Sequence, residues 1–196
     1  MPQASHQCGH WGRQGTRCTA IVDSEGVHEG LCNIGGGPLT RHNRVREWLA
    51  EKMREAYGGT TATEQPHPLA NGSPGRMDIK HSSAHGHLDV DVTIASLYTS
   101  NAREALRREQ APSRALRQGI AEKLRHYGPG VIPFALDDTG AMGSSALRLL
   151  RRLAWASGGP LSGPNLFTLW RAELQHIVLQ TTAGMAQSAR GMPRTA

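Results

Sequence analysis

Residues 75–94 read GRMDIKHSSAHGHLDVDVTI, and this stretch predicts two short strands joined by a turn. The first strand covers residues 76–81, and the small polar residues 82–86 suit a hairpin turn. Apolar and polar side chains alternate along residues 88–94, so the second strand has one apolar face and one polar face. The pattern therefore predicts a hairpin that buries one face and leaves aspartates on the other.

The polar face of this hairpin predicts a cation site. Asp78 lies on the first strand and Asp89 and Asp91 on the second, and neighbouring strands are only about 4.8 Å apart. Two carboxylates at that range repel each other unless a proton or a metal ion lies between them. Because Mg²⁺ prefers oxygen ligands and takes one or two protein carboxylates, we expect Asp78 and Asp91 to bind Mg²⁺ or Mn²⁺.

The composition indicates one compact domain with appendages and an anionic partner. The chain has 196 residues, of which 38% are hydrophobic, so it can form one modest core. A net charge of +6 and an isoelectric point near 9.8 favour nucleic acid as a partner. No apolar run reaches about 20 residues, so we expect no membrane span.

The N-terminal part of the chain predicts a small module held together by a metal ion. It is rich in glycine, cysteine and histidine and lacks helix or strand periodicity. The spacing is Cys8-x9-Cys18-x9-His28-x3-Cys32, and three cysteines do not make an even disulfide set. Thiolates and imidazole suit tetrahedral Zn²⁺, so we expect these four residues to bind zinc, with His10 as an alternative to one of them.

The remaining periodicity predicts an α/β fold. Helices are expected at residues 44–57, 99–127 with a break near Pro112, 142–155 and 167–185, and strands at 60–67, 76–81, 88–94 and 131–136. A linker is expected at residues 158–164 and a loose tail from Ala186. The expected parts are a zinc module at 1–37, a core at 38–157, and a C-terminal helix with its tail at 158–196. The order helix, three strands, helix, strand, helix suits a sheet covered by helices.

The acids and lysines of the chain fit the chemistry of phosphodiester cleavage. That reaction requires a nucleophilic water, neutralisation of charge at phosphorus and help for the leaving oxygen, and bound Mg²⁺ contributes to all three. Glu64, before the hairpin, is a third acid for a second cation or a water. Lys123 is the candidate for orienting water or stabilising the transition state, with Lys80 as the alternative. Each residue alone has a plainer role as a surface charge, but together they favour a nuclease site.

Several short motifs follow one another in a fixed order. They are VHEGLC at residues 27–32, RHN at 41–43, RMDI at 76–79, DVTI at 91–94, and a lysine and a tyrosine spaced K-x3-Y at 123–127. Over roughly residues 8–183, these motifs resemble the restriction-like endonuclease domain that follows the reverse transcriptase of site-specific non-LTR retrotransposons. That domain belongs to the PD-(D/E)xK nuclease superfamily.

The resemblance implies a restriction-endonuclease-like mixed sheet flanked by helices. It also implies a metal-dependent enzyme that nicks target DNA, so that the new 3′-hydroxyl primes reverse transcription. The catalytic residues that it implies are Glu64, Asp78, Asp91 and Lys123, and those that help the zinc module hold DNA are Arg41, His42 and Asn43.

The same resemblance implies DNA as the substrate, the element RNA as a further partner and a nuclear location. It implies a reverse transcriptase domain in the same polypeptide, so we expect this chain to be a fragment of a retroelement polyprotein. Two alternatives remain open. One is a catalytically inactive remnant that binds nucleic acid, and the other is a folded piece with no activity apart from its parent polypeptide.

The tryptophans of the predicted helices are expected to pack in the core rather than to stack on bases. Stacking platforms usually lie on open sheets or loops, whereas these residues lie on apolar helix faces. They are Trp48, Trp155 and Trp170.

Overall fold

A computed structural model describes residues 6–12, 15–22, 28, 31–97 and 111–190 of the chain. The helices that carry the fold are α1 (Gly37–Tyr57), α2 (Ala111–Tyr127) and α3 (Ser144–Ala189). The strands are β1 (His6–Gln7), β2 (Ile21–Val22), β3 (Thr60–Pro68), β4 (Pro74–Ser83), β5 (Gly86–Ala95) and β6 (Val131–Asp137). From α1 onward the order confirms the predicted α/β succession of helix, three strands, helix, strand and helix.

Strands β3 to β6 form one mixed sheet in sequence order. The strands β3, β4 and β5 pair antiparallel, and β6 joins the edge parallel to β5. Parallel neighbours need a crossover connection, and α2 supplies it between β5 and β6. The strands β1 and β2 pair separately, in the N-terminal module. The predicted hairpin of residues 75–94 is therefore the centre of the sheet.

Different helices cover the two faces of the sheet. The helices α1 and α3 pack on the apolar face, where Leu49, Phe134 and Leu150 are fully buried in one core. The helix α2 lies on the opposite face, since its Lys123 contacts Asp91 of β5. The apolar residues of the hairpin therefore meet α1 and α3, and Asp91 on its polar face meets α2.

Helix α3 consists of two arms that meet at a sharp break. Gly159 has φ 61° and ψ −166°, which only glycine adopts easily, and Pro160 then begins the second arm. A Cβ on Gly163 would lie 3.0 Å from the Trp155 ring, so the arms approach closely. The linker predicted at residues 158–164 is wrong in its extent, because a single glycine turns the chain.

The end of α3 is packed rather than loose. Trp170 of the second arm belongs to the same core as α1 and the sheet. Ala189 is fully buried in a second cluster with the cysteines of the N-terminal module. The loose tail predicted from Ala186 is therefore wrong as far as Ala189, and residues 191–196 lie outside the described part of the chain.

Helix α1 begins at Gly37 rather than at the predicted Arg44. Gly36, with φ 67°, lets the chain turn into the helix, and Pro38 fits the first turn because its missing amide has no helical partner there. The RHN motif at residues 41–43 is therefore helical. Residues 99–110, which the sequence predicts as helix, lie outside the described ranges.

Two of the three tryptophans pack as predicted. Trp48 and Trp170 meet edge to face with ring centroids 6.3 Å apart, and Trp170 is buried. Trp155 is 39% exposed and contacts Phe167 across the break in α3, so its predicted place in the core is wrong. Within the described residues, no helix combines the length and the apolar character that crossing a membrane requires.

Leu150→Ala should destabilise the fold far more than Leu161→Ala. Leu150 is fully buried, whereas Leu161, beside the break in α3, is 91% exposed. The buried substitution leaves a cavity and should lower the free energy of unfolding by about 2–5 kcal/mol, against roughly 0.5 kcal/mol or less at the surface. Urea unfolding followed by circular dichroism measures both, and equal losses would contradict this packing.

Candidate functional site

Four metal-type donors of the N-terminal module converge on one point. The Sγ atoms of Cys8, Cys18 and Cys32 and a ring nitrogen of His28 lie within 4.8 Å of one another. Cys8 Sγ is 3.8 Å from Cys32 Sγ, and Cys18 Sγ is 3.3 Å from His28 Nε2. Two sulfurs bound to one tetrahedral zinc at about 2.3 Å lie roughly 3.8 Å apart. The cluster could therefore hold a metal ion such as zinc, and the four predicted ligands are neighbours.

Backbone hydrogen bonds fix the chain around these donors, and burial keeps the Cys8 thiol protonated unless a cation binds. The Cys8 amide donates to the carbonyl of Ala20 at 2.9 Å, and the Cys18 amide donates to the carbonyl of His10 at 3.0 Å. Burial, with help from the adjacent Cys32, raises the pKa of the Cys8 thiol to about 12. Since a buried thiolate is unfavourable without a partner charge, a bound cation would stabilise the deprotonated cluster.

His10, the alternative ligand, lies beside the cluster. Its Nδ1 is 3.4 Å from Cys8 Sγ, and the residue is 5% exposed. A Cβ on Gly35 would come within 2.7 Å of the His10 ring, so the ring is held by close packing. Cys8 and His28 both belong to the converging group, which does not include His10, so Cys8 is the better ligand at this end of the cluster.

The Cys/His module connects the start of α1 with the end of α3. The Gly9 amide donates to the carbonyl of Ala189 at 2.6 Å. A Cβ on Gly37 would collide with the side chain of Met185, so the first residue of α1 lies directly against α3. An ion in the module would therefore stabilise the ends of both helices as well as the module.

A second site lies on the polar face of the sheet, beneath α2. The register of β4 and β5 pairs Ile79 with Val90, so the next position along places Asp78 opposite Asp91. Lys123 of α2 places its Nζ 2.9 Å from Asp91 Oδ2. The structure therefore brings together three of the four residues predicted to be catalytic.

Asp78 is held by groups from two other elements. The Val92 amide donates to Asp78 Oδ2 at 2.7 Å, and His42 Nε2 lies 3.1 Å from the same oxygen. His42 Nε2 also lies 3.2 Å from the Val92 carbonyl oxygen. The Asp78 carboxylate oxygen and the Val92 carbonyl oxygen therefore both lie within hydrogen-bond distance of the same ring nitrogen of His42.

The charges of this network shift three pKa values. Burial alone would raise the pKa of Asp78, but the hydrogen bond and charge of His42 outweigh it, so the pKa lies below its ordinary value. The pKa of Asp91 is raised, because burial and the nearby charge of Asp78 outweigh the Lys123 ion pair. Burial would lower the pKa of His42, yet its contact with Asp78 raises it. Asp91 is therefore the acid that is protonated more easily.

Tyr127 lies one helical turn after Lys123 and joins the same site. Its hydroxyl donates to the carbonyl of Arg76 at 2.9 Å. Burial and the charge of Asp91 raise the pKa of Tyr127 to about 12, so the hydroxyl stays protonated. The K-x3-Y spacing puts both side chains on one helix face, and this is the signal by which the sequence could have assigned Tyr127 to the site.

Glu64 and Lys80 are engaged elsewhere. The Glu64 carboxylate forms ion pairs with Arg46 of α1 and Arg76 of β4. Its φ of 57° is a left-handed conformation that residues other than glycine adopt at an energetic cost. Lys80 donates to the carbonyl of Pro66 at 2.8 Å. The predicted third acid is therefore neutralised by arginines, and the geometry favours Lys123 over Lys80.

The three residues predicted to hold DNA make different contacts in the structure. Arg41 is 3% exposed, and its Nη1 donates to Thr182 Oγ1 of α3 at 2.9 Å. His42 contacts Asp78, and Asn43 Oδ1 lies 3.4 Å from His42 Nδ1. Arg41 is therefore engaged inside the fold, whereas His42 and Asn43 are half-buried beside Asp78, and their role in holding DNA stays a prediction.

Within the part of the chain that the structure describes, the Cys/His cluster is the only group of three or more cysteine, histidine or carboxylate donors whose atoms all lie within 4.8 Å of one another. The acid site supplies two carboxylates, from Asp78 and Asp91.

The chain matches no protein-family model and no curated protein.

His28→Ala should remove most of the bound metal ion, because it takes away one of the four converging donors. His176→Ala, at an exposed histidine of α3, is the matched control and should leave the metal content unchanged. His10→Ala should also retain the ion. Plasma mass spectrometry of the purified proteins measures the content, and equal values in the His28 and His176 variants would contradict the four-donor cluster.

Proposed function

We propose that the chain is a metal-dependent DNA endonuclease domain that nicks one strand of its target, and that its Cys/His cluster binds a structural zinc ion. The observation that carries the proposal is the meeting of Asp78, Asp91 and Lys123 on the polar face of the sheet. Two acids and a lysine at one place on a basic chain suit phosphodiester hydrolysis. The motif order, which resembles that of retroelement endonuclease domains, supports the same function.

The donors at this site suit Mg²⁺ or Mn²⁺. Both ions prefer carboxylate and carbonyl oxygens, and Mg²⁺ keeps several waters, so two protein carboxylates are enough. Asp78 and Asp91 would hold the ion. Asp91 is 2% exposed and its pKa is raised, so a nearby cation would favour its ionised form. When bound, such an ion neutralises charge on the phosphate and activates water.

The proposed reaction is hydrolysis of a single phosphodiester bond. The oxygen of water forms a bond to phosphorus while the bond between phosphorus and the 3′ oxygen breaks. Water loses one proton in this step, and the departing 3′ oxygen gains one. The products are a 5′-phosphate and a 3′-hydroxyl, and the 3′-hydroxyl is the end from which a polymerase extends DNA.

The side chains around the aspartates can act on the phosphate and on the water. Lys123 carries its charge 2.9 Å from Asp91, where it can orient water or stabilise negative charge that grows on the phosphate. His42 and the Val92 amide fix the orientation of Asp78. Tyr127 stays protonated, so it can donate a hydrogen bond but cannot serve as a base.

Positive charge close to the site supports an anionic substrate. Arg114, Arg117 and Arg125 are exposed on α2, the helix that carries Lys123. Arginines bind phosphate whatever the base sequence, so the affinity for DNA should fall as the salt concentration rises. This charge is consistent with the net +6 of the whole chain.

A second candidate function is nucleic-acid binding without catalysis. Lys123 already neutralises Asp91, and His42 already contacts Asp78, so each acid has a cationic or polar partner from the protein. If those pairs exclude a divalent ion, the basic surface binds nucleic acid and no bond is cleaved.

For either function, we propose that the domain works in the nucleus as part of a retroelement polyprotein that contains a reverse transcriptase. Its nucleic-acid partners would be target DNA and the element RNA.

Asp78→Asn and Asp91→Asn should each abolish Mg²⁺-dependent nicking of supercoiled plasmid, since each removes a ligand of the cation. Asp89→Asn is the matched control, because Asp89 lies on the same strand but its carboxylate contacts His67 and His87. We expect the control to nick at the wild-type rate. Gel separation of supercoiled and open-circular DNA, with and without EDTA, measures the reaction.

Nicking that persists in both aspartate variants, or that ignores EDTA, would refute the proposed site. DNA binding in a gel-shift assay without metal separates the two candidate functions. If the wild-type protein binds DNA with strong salt dependence and never nicks it, nucleic-acid binding without catalysis is the function that the results support.

Lys123→Gln should lower the single-turnover nicking rate by about 100-fold or more, because a charge aimed at the transition state is lost. Lys80→Gln is the control, since Lys80 donates to the carbonyl of Pro66 instead. Binding of DNA should change little in either variant. Equal rates in the two variants would show that Lys123 has no part in the chemistry.

A further inference from the structure

A groove of about 390 Å³ lies between α2, β6 and the first arm of α3. Its floor is apolar and includes Ile120, Leu124, Val131, Ile132 and Leu149. Leu124 remains 38% exposed, so the described chain leaves a large apolar side chain open to solvent here. The volume falls in the range of specific binding sites, and an open apolar surface of this kind often marks an interaction site.

The rim of the groove is positively charged. Arg148 and Arg152, one helical turn apart on α3, both line it and both are exposed. None of the residues that line the groove is acidic. An apolar floor with cations on its rim is complementary to a ligand that has an apolar centre and negative flanks.

One wall of the groove is β6, the last strand of the described sheet. The Pro133 carbonyl accepts a hydrogen bond from Ser145 Oγ, and the Ala135 carbonyl accepts one from the Gly143 amide at 2.8 Å. The main chain of these two residues is therefore directed outward from the sheet. These contacts, with the bridge between Leu136 and Met142, already occupy the outward main chain of this part of β6, so the groove offers a ligand its apolar side chains and its two arginines.

We propose that this groove binds a peptide segment of a partner protein, in which apolar residues are flanked by glutamates or aspartates. Nucleic acid is the poorer fit, because the floor is aliphatic and offers no aromatic ring on which a base could stack. The groove and the acid site share α2. Ile120 and Leu124 line the groove, whereas Lys123, on the same side of the helix, contacts Asp91, which does not line the groove.

A short fluorescein-labelled peptide that alternates leucine with glutamate is the probe, and a leucine–lysine peptide of equal length is its control. Titration of the full chain, followed by fluorescence anisotropy, should show saturable binding of the acidic peptide alone. Arg148→Glu should weaken this binding about tenfold or more. Arg151→Glu makes the same charge change on the same helix. It should not weaken peptide binding, because Arg151 contacts Phe167 outside the groove.

Leu124→Glu tests the contribution of the apolar floor to binding. Leu161→Glu is its control, because Leu161 is an exposed leucine outside the groove. Both positions are exposed, and circular dichroism confirms that the variants fold. Only Leu124→Glu should weaken binding, and Asp91→Asn should bind the peptide as the wild type does. Absence of saturable binding, equal losses in the Arg148 and Arg151 variants, or preferential binding of duplex DNA that Arg148→Glu abolishes would overturn the proposal.

Discussion

The pairing of β4 with β5 is the interaction on which the acid site depends. Because side chains alternate across a strand, the register that buries Ile79 and Val90 in the core also places Asp78 and Asp91 together on the other face. A slip of one residue would exchange the two sets and drive carboxylates into the core. The apolar core therefore fixes the positions of the acids, although it makes no direct contact with the chemistry.

Two acids side by side, Asp91 buried and Asp78 half-buried, are stable only because other elements supply compensating groups. Lys123 comes from α2 and His42 from α1, so the polar face is complete only when both helices are in place. The start of α1 lies against Met185 near the end of α3, and the Cys/His module packs on that same end. The metal-type cluster thus supports the acid site indirectly, through the helix that carries His42.

The sheet, the helix order and the four Cys/His donors could be predicted because their signals are local: alternation along a strand, periodicity along a helix, and spacing of thiols. The break in α3 could not, since a stretch rich in glycine and proline suits both a linker and a tight corner, and only the contact of Gly163 with Trp155 decides between them. The arginine partners of Glu64 and the place of His42 beside Asp78 depend on how distant elements approach. Motif order indicated that these residues belong together, but it contained no information on what each side chain contacts.

The hydrogen bond between Gly9 and Ala189 brings early and late parts of the described chain side by side. A polypeptide that enters and leaves a domain at neighbouring points can be spliced into a loop of a host protein without stretching either partner. The same proximity makes circular permutation feasible: a short tether could join these two segments while new termini are opened at an exposed turn such as Asn71–Ser73.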